Sequence, residues 1–262
     1  METVNIEKLS PTTIVHRESI KYLISGILTG VINTIIFNPY DKAMYNMIKN
    51  KNNLFSKINW TDPYAGIKQA VLIRIISYGM YYPFMDFYKI LIKNNNPVLI
   101  GAFIGAINAL LINPINVVKY SIWNNNNTIR VMIQKYGIRI LFRSIMYTIF
   151  RDTIFSIVHT LLTNVFNPNR DFVKDVLSVS IATVASSPMN YFRNQVLIEP
   201  LDKPVPNVFK IWNRLLEDGK TDSNKIIYIL NNKLCIGWAT LRVALAMAFS
   251  RKCYEYVKKI ID

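Results

Sequence analysis

Long uncharged, apolar runs alternate with short polar segments along this chain. Residues 22–40, 97–118 and 176–192 contain no charged side chain, and a membrane-spanning helix needs about 20 mostly apolar residues. Each run has a proline in its last third, and these prolines are Pro39, Pro114 and Pro188. Their positions are almost evenly spaced along the chain. A pattern that recurs at a fixed period indicates an internal repeat.

Two of the three runs also carry a pair of glycines one helical turn apart. Gly26 and Gly30 lie in the first run, and Gly101 and Gly105 lie in the second. In both runs the second glycine stands nine residues before the proline. Because glycines, proline and the polar residues that follow recur together, the pattern favours a true repeat over three unrelated apolar helices.

The repeat predicts an all-α membrane protein with six long helices in three pairs, which places both chain ends on one side. We expect one domain over residues 1–262, with repeats at approximately 19–93, 97–166 and 171–262. The long helices are predicted at 19–48, 64–93, 97–123, 141–166, 171–198 and 234–260. Short helical segments are predicted at 129–136 and 207–216, a polar tail at 1–18, a polar loop at 49–63 and the longest loop at 199–233.

A proline inside a helix removes one backbone donor and crowds the preceding turn. Membrane helices tolerate such positions where neighbouring groups satisfy the freed backbone. We therefore expect helix kinks at Pro39, Pro114 and Pro188.

Composition supports the membrane assignment and favours lipid over nucleic acid as a binding partner. The chain is 51% hydrophobic and carries a formal charge of +15, a combination that is rare in soluble domains. Many of the basic residues flank the apolar runs, as do Lys49, Lys51, Lys89, Lys93, Lys258 and Lys259. Basic flanks of this kind favour anionic lipid, so we expect membrane lipid, in particular cardiolipin, and no nucleic acid as a partner.

Features of enzymes and metal sites are sparse. Cys235 and Cys253 are too few for a disulfide framework or a metal site, and His16 and His159 are isolated. No glycine-rich phosphate loop is present. We therefore expect no enzymatic activity, no metal and no cofactor. Residues 1–19 lack the apolar segment of a cleavable signal peptide, so any targeting signal is expected to be internal.

One arginine lies in the interior of each even-numbered helix: Arg74, Arg151 and Arg242. A charge at bilayer depth costs roughly 2.5–3.5 kcal/mol on insertion scales and nearly always faces a cavity or the bundle interior. Arginine binds carboxylate or phosphate through two parallel hydrogen bonds. Three such residues predict a central site for an anion with several charges. The alternative is that they are structural and pair with helix ends or lipid.

The proline motifs resemble the signature of the mitochondrial carrier family, Pro-x-Asp/Glu-x-x-Lys/Arg at the end of each odd-numbered helix. They read Pro39-Tyr40-Asp41-Lys42-Ala43-Met44, Pro114-Ile115-Asn116-Val117-Val118-Lys119 and Pro188-Met189-Asn190-Tyr191-Phe192-Arg193. The even-numbered helices of the family end in an aromatic residue, an acid, two variable residues and a base. Tyr254-Glu255-Tyr256-Val257-Lys258 matches in full, and Met85-Asp86-Phe87-Tyr88-Lys89 matches except for the aromatic residue.

The resemblance covers nearly the whole chain and implies six transmembrane helices in three pseudo-threefold repeats, with short amphipathic helices on the matrix side. It implies two gates that open alternately. The matrix gate would comprise Asp41, Asn116, Lys119, Asn190 and Arg193. The cytoplasmic gate would comprise Asp86, Lys89, Glu255 and Lys258.

This chain departs from the family pattern at both gates. In the family the acid of one repeat pairs with the base of the next, and here only Asp41 with Lys119 can do so on the matrix side. On the opposite side only Glu255 can pair with Lys89. Because amides replace the other acids, we expect gates that open easily or exchange that is less strictly coupled.

The resemblance places the substrate against the even-numbered helices. Arg151 and Arg242 match the family's contact positions, and Arg74 lies one residue beyond. Asp152 leaves the substrate open, because an adjacent Arg-Asp pair resembles amino-acid carriers, in which the acid meets an ammonium group. Asp152 could instead neutralise Arg151 or face another helix.

Three functions therefore remain open. We expect a monomeric carrier of the mitochondrial inner membrane that exchanges anionic metabolites, most simply nucleotides. The alternatives are an amino-acid carrier of the same fold and a membrane adaptor that no longer transports. The residue bias would suit a protist or a large DNA virus that targets host mitochondria.

Overall fold

The protein is described by a computed structural model over residues 11–76, 96–125, 129–166, 172–218 and 224–261, with side chains described from residue 24 onward and at most later positions of these ranges. These residues are almost entirely helical, with no strand among them. The all-α prediction is therefore confirmed for the described part of the chain.

The long helices largely follow the predicted boundaries. The helices of the described residues are α1 (Pro11–Asn50), α2 (67–76), α3 (Pro97–Asn125), α4 (Ile129–Tyr136), α5 (Ile145–Phe166), α6 (Phe172–Ile198), α7 (Val208–Asp218), α8 (Lys225–Tyr228) and α9 (Ile236–Ile261). Two 3₁₀ turns, Lys57–Trp60 and Ile138–Phe142, and a π turn, Ile229–Lys233, complete the described elements.

Three features differ from the predictions. Helix α5 begins at Ile145 rather than at residue 141, because the 3₁₀ turn Ile138–Phe142 precedes it. Helix α1 begins at Pro11, so the predicted polar tail is helical from that residue. The long loop at 199–233 contains α8 and the π turn in addition to α7. These additional elements are short, and the hydrophobic pattern carries too few periods over four or five residues to reveal them.

The helices continue through all three repeat prolines. Pro39 lies inside α1, Pro114 inside α3 and Pro188 inside α6. In α6 the hydroxyl of Ser187 donates to the carbonyl oxygen of Val184 at 2.8 Å. That carbonyl is four residues before Pro188, so the serine satisfies the group that the proline leaves without a backbone donor.

Helices that are neighbours in the sequence pack against each other, and the last returns to the first. Helix α3 packs on α5, α5 on α6, α6 on α9, and α9 on α1. Helix α2 is described only over 67–76, at the start of the predicted second long helix. The described contacts therefore form an arc of five helices that begins at α3 and ends at α1.

Within the described residues, two segments are long and apolar enough to span a membrane: Pro97–Asn124 and Ile138–Phe166. Only 33% of the most apolar window of the first and 11% of that of the second are buried in the protein. The core helix of a soluble protein would be mostly buried, so this exposure distinguishes both helices from such a helix. Helix α6 is not one of these two segments, because its serine, threonine and asparagine residues reduce its hydropathy.

Several helices bury polar residues and expose apolar ones. On α1, Ser25 and Thr29 are buried while Ile24 and Leu28 are exposed. Helix α6 repeats the arrangement, because its buried residues include Ser178 and Ser186 while Leu177 and Ile181 are exposed. Soluble proteins bury the apolar face of a helix. The first halves of α1 and α6 show the reverse distribution, while their C-terminal ends bury apolar residues such as Met47 and Val196.

The glycine pair of α3 permits a close approach of α5. A Cβ atom on Gly105 would lie 2.5 Å from the backbone oxygen of Asp152, and one on Gly101 would lie 2.8 Å from the Cα atom of Ile157. Small residues allow membrane helices to pack backbone against backbone. The close contact fixes the level of Asp152, and hence of Arg151, relative to α3.

Candidate functional site

A two-point ion pair joins α1 to α9. Arg242 donates from Nε to Oδ1 of Asp41 and from a terminal nitrogen to Oδ2, both at 2.8 Å. The Arg242 side chain is 12% exposed and that of Asp41 is 34% exposed. The guanidinium carbon also lies 5.4 Å from the ring centroid of Phe37. The charge of Arg242 is thus held by a carboxylate on one side and an aromatic ring on another.

Residues spaced four apart on α1 place this pair. Asn33, Phe37 and Asp41 share one helix face, and that face meets α9 over about two turns. Asn33 donates to the hydroxyl of Ser250 and, at 3.4 Å, to the carbonyl oxygen of Ala246. Phe37 packs edge-on against a phenylalanine of α9 with ring centroids 6.3 Å apart. The ion pair is therefore part of a continuous interface, which extends to the hydrogen bond from the Tyr40 hydroxyl to the carbonyl oxygen of Trp238 at 3.2 Å.

The structure pairs Asp41 with a different base from the expected one. The resemblance implied an ion pair with Lys119, but both carboxylate oxygens of Asp41 accept from Arg242. The ammonium of Lys119 lies 4.7 Å from the ring centroid of Trp123 and 5.0 Å from that of Tyr120. The planar guanidinium matches both carboxylate oxygens at once, whereas an ammonium is a single point charge.

Gly66 explains the position of the Lys119 stem. Its φ angle is +72°, which favours glycine, and a Cβ atom there would lie 3.0 Å from Cγ of Lys119 and from Nε1 of Trp123. The indole Nε1 also donates to the carbonyl oxygen of Ala65 at 2.7 Å. The chain at the start of α2 thus packs directly on the Lys119 and Trp123 side chains.

Three aromatic rings join α1 to α3, and we call Tyr45, Tyr120 and Trp123 the aromatic cluster. The ring centroids are 4.7 Å apart for the two tyrosines, 5.3 Å for Tyr45 and Trp123, and 4.9 Å for Tyr120 and Trp123. Asn124 donates to the hydroxyl of Tyr45 at 2.9 Å and to the carbonyl oxygen of Leu197 at 2.8 Å. The asparagine therefore connects the cluster to the end of α6.

Arg193 connects the aromatic cluster to α6 a second time. Its guanidinium is buried and donates to the hydroxyl of Tyr120 at 2.9 Å and to the side-chain oxygen of Asn194 at 3.4 Å. Asn116 is buried in α3, and Asn190 is partly buried in α6. Of the residues expected at the matrix gate, Asp41, Lys119 and Arg193 are thus held by contacts other than pairing with each other.

Sequence reasoning missed the aromatic cluster, although the repeat contains a signal for it. Tyr45 and Tyr120 each follow directly after the residue at the base position of their motif. Asn194 occupies the same position in the third repeat. Comparing the residue after each base position would have grouped these three, two of which contact Arg193.

Arg151 and Asp152 pair with each other on α5. The guanidinium of Arg151 contacts Oδ1 of Asp152, whose side chain is only 6% exposed. Asn108 on α3 lies 3.5 Å from the other carboxylate oxygen. Both intramolecular roles considered for Asp152 are present together, because it neutralises Arg151 and faces another helix.

The remaining expected site residues divide into two groups. Arg74 is partly buried on α2 and takes part in further interactions. Asp86 and Lys89 lie outside the described residues, and so do the side chains of Glu255 and Lys258. Among the described residues, no group of three or more His, Cys, Asp or Glu side chains could hold a metal ion.

Lys42, directly after Asp41 on α1, contacts the following loop and takes no part in the ion pair. Its ammonium donates to the carbonyl oxygens of Thr61 and Asp62 at 2.8 and 2.7 Å. Buried Asn59 accepts from Asn46 through its backbone oxygen at 3.0 Å. The predicted polar loop therefore folds back onto α1 and fixes the end of the helix that carries Asp41.

A buried hydrogen-bond network joins α3 to the start of α5. Asn113 donates to the carbonyl oxygen of Leu141 at 3.0 Å and accepts from the hydroxyls of Ser144 and Thr148 at 3.0 and 2.7 Å. The side chains of Asn113, Ser144 and Thr148 are fully buried. The network fixes the residue before Pro114 to the segment that precedes Arg151.

We expect Asn113→Ala to lower the free energy of unfolding by about 1–3 kcal/mol, because the Leu141 carbonyl and two hydroxyls lose a buried partner. Thermal unfolding of the purified protein in detergent would measure the change. Asn190→Ala, at a partly exposed asparagine of α6, is the control and should change stability by less than about 0.5 kcal/mol. Equal effects of the two substitutions would contradict the network.

Comparison with protein-family models and with curated proteins gives no match to this chain. The function is therefore argued from the repeat, the packing and the charged residues.

Proposed function

We propose that this protein is a membrane-embedded helical carrier that exchanges anionic metabolites, most simply nucleotides, by alternating access in the mitochondrial inner membrane. The observation that carries the proposal is the two-point pair between Arg242 and Asp41. It holds a nearly buried arginine in the interior of a long helix, among helices that expose many of their apolar residues.

The distribution of polar residues supports a bundle whose helices contact one another through polar side chains. Serine and threonine side chains on α1 and α6 are buried while isoleucine and leucine side chains on the same helices are exposed. Lipid favours the apolar outer surface, and polar groups at bilayer depth face a cavity or another helix. This arrangement suits a protein that encloses a polar substrate while its outer surface contacts lipid.

The repeat and the packing order support the carrier architecture. The three proline motifs recur at a nearly constant period, and the described helices pack in chain order until α9 returns to α1. A ring of three helix pairs requires these contacts. In such a ring the predicted second long helix, which begins with α2, would lie between α1 and α3. The motif resemblance to mitochondrial carriers adds the inner-membrane location and the alternating gates.

The geometry at Arg242 supports an anionic substrate. A carboxylate already accepts from two of its donors, and phosphate oxygens bind arginine in the same two-point manner. Arg74 and Arg151 would contribute further positive charge on neighbouring helices. A substrate with several negative charges can contact more than one of them, which favours nucleotides over monocarboxylates.

The position of Asp152 argues against the amino-acid alternative. An ammonium group of a substrate would need an exposed carboxylate, whereas Asp152 is 6% exposed and already contacts Arg151. Asn108 is within 3.5 Å of its second oxygen. Both carboxylate oxygens are therefore engaged inside the α3–α5 interface.

Reconstitution tests the proposal directly. We expect labelled nucleotide to enter liposomes containing the purified protein only when unlabelled nucleotide is present inside. Empty liposomes and liposomes with heat-unfolded protein are the controls. Uptake of labelled amino acids in place of nucleotides would instead favour the Arg151–Asp152 alternative. The absence of uptake of nucleotides, amino acids and carboxylates by folded protein would favour a membrane adaptor.

A further inference from the structure

The donors that a substrate anion needs on Arg242 are already occupied by the protein itself. Asp41 presents two oxygens to Nε and a terminal nitrogen, both at 2.8 Å. A substrate carboxylate or phosphate would need the same donors in the same geometry. Asp41 therefore occupies Arg242 as an internal mimic of the substrate anion.

We propose that Asp41 is a displaceable counter-ion: the anionic group of the substrate replaces it on Arg242, and this exchange loosens the contact between α1 and α9. The proposal rests on the proposed function and specifies how its binding site is regulated. It assigns Asp41 a positioning role in binding, in addition to the gate role that the sequence motif implied.

The unequal exposure of the two partners explains which of them moves. Arg242 is 12% exposed, so leaving its charge without an anion would be strongly unfavourable. Asp41 is 34% exposed and can regain contact with water after it leaves. Exchanging one anion for another keeps Arg242 neutralised throughout, and water solvates the carboxylate that is released.

The other arginine–carboxylate pair at the site lacks these properties. Arg151 and Asp152 are adjacent on one helix, so separating them would not move one helix relative to another. Asp152 is also buried and contacts α3 through Asn108. Of these two pairs, the one between Arg242 and Asp41 can therefore couple anion binding to the separation of two helices.

Displacement has a measurable consequence for affinity. A ligand that binds only when the internal pair is open has its apparent affinity reduced by the fraction of time for which the pair is open. If the pair is open about a tenth of the time, removing the Asp41 charge would tighten anion binding about tenfold. The substitution must preserve the size of the side chain, and Asp41→Asn does so.

Titration with inorganic pyrophosphate tests this consequence. We expect D41N in the purified full-length chain to bind pyrophosphate about tenfold more tightly than the natural sequence by calorimetry. E199Q is the matched control, because it breaks the pair with Arg214 near the end of α6, and it should leave the affinity unchanged. Equal or weaker binding by D41N would overturn the proposal.

A second measurement keeps both charges in place. In a chain with Cys235→Ser and Cys253→Ser, F37C and F249C carry one spin label each at two facing positions of α1 and α9. We expect saturating pyrophosphate to lengthen the distance between the labels, because displacing Asp41 loosens α1 from α9. An unchanged distance would contradict the proposal even if D41N failed to fold.

These results separate the inference from the proposed function. Transport that depends on Arg242, together with unchanged pyrophosphate binding by D41N, would remove only the displacement mechanism. Tighter binding by D41N in a protein that transports nothing would support the exchange of anions but remove the carrier proposal.

Discussion

Arg242→Ala is expected to reduce nucleotide uptake by the reconstituted protein by about 100-fold. A buried charged partner is typically worth about 2–5 kcal/mol in binding, and each 1.4 kcal/mol corresponds to a factor of about ten. The variant should still fold, because the Asp41 left behind is 34% exposed and can contact water. The measurement is the initial rate of uptake into nucleotide-loaded liposomes, at equal amounts of folded protein.

Two further variants show whether this effect depends on the two-point geometry. Arg242→Lys keeps the charge but offers a single ammonium, so we expect an intermediate rate. Arg214→Ala, on α7, breaks the pair that this arginine forms with Glu199 and should leave uptake unchanged. If Arg242→Ala transported at the natural rate, Arg242 would have a structural role and the anion site would lie elsewhere.

Gly105→Ala is expected to destabilise the protein severely. The added Cβ atom would lie 2.5 Å from the backbone oxygen of Asp152 and 2.7 Å from the Cα atom of Thr153, neither of which can rotate away. Overpacking a tight contact costs about 1–3 kcal/mol and sometimes more, and contact with backbone atoms places this substitution at the upper end. Thermal unfolding in detergent and the yield of monodisperse protein would show the loss.

The first repeat supplies a matched control for this substitution. Gly26 occupies the equivalent position to Gly101, yet none of the described heavy atoms lies within 4 Å of a Cβ atom built there. Alanine is favoured over glycine inside a helix by about 1 kcal/mol, so Gly26→Ala should leave stability unchanged or raise it. If Gly26→Ala and Gly105→Ala destabilised the protein equally, the close approach of α3 and α5 would be wrong.

Local patterns predicted the helices well because helix formation depends on nearby residues. The short amphipathic helix was predicted at 129–136 and is found at Ile129–Tyr136. The helix predicted at 171–198 is found at Phe172–Ile198. The start of α1 was placed too late, at residue 19 rather than Pro11, because the polar residues at 11–18 gave no apolar face to detect.

Pairing between helices was less predictable because it depends on distances that the sequence does not contain. The motif paired Asp41 with Lys119, and Arg242 was assigned only to the substrate site. The structure brings α9 against the face of α1 that carries Asp41, so the guanidinium of Arg242 takes the carboxylate. The three arginines were identifiable from their helical positions, and the sequence also offered Asp152 as the acid that neutralises Arg151. The pairing of Asp41 with Arg242 could be assigned only from the packing.

The residue before each repeat proline forms a different kind of hydrogen bond in the third repeat than in the first two. Asn38 and Asn113 donate to carbonyl oxygens in the segments that follow their helices, at Pro63 and Leu141. Ser187 donates within its own helix, to Val184. Bending α1 or α3 at its proline would therefore strain a hydrogen bond to the following segment, whereas the hydrogen bond of Ser187 stays within α6. A transport cycle built on these helices would therefore couple bending at the proline to the following segment in the first two repeats. In the third repeat the corresponding hydrogen bond lies inside α6.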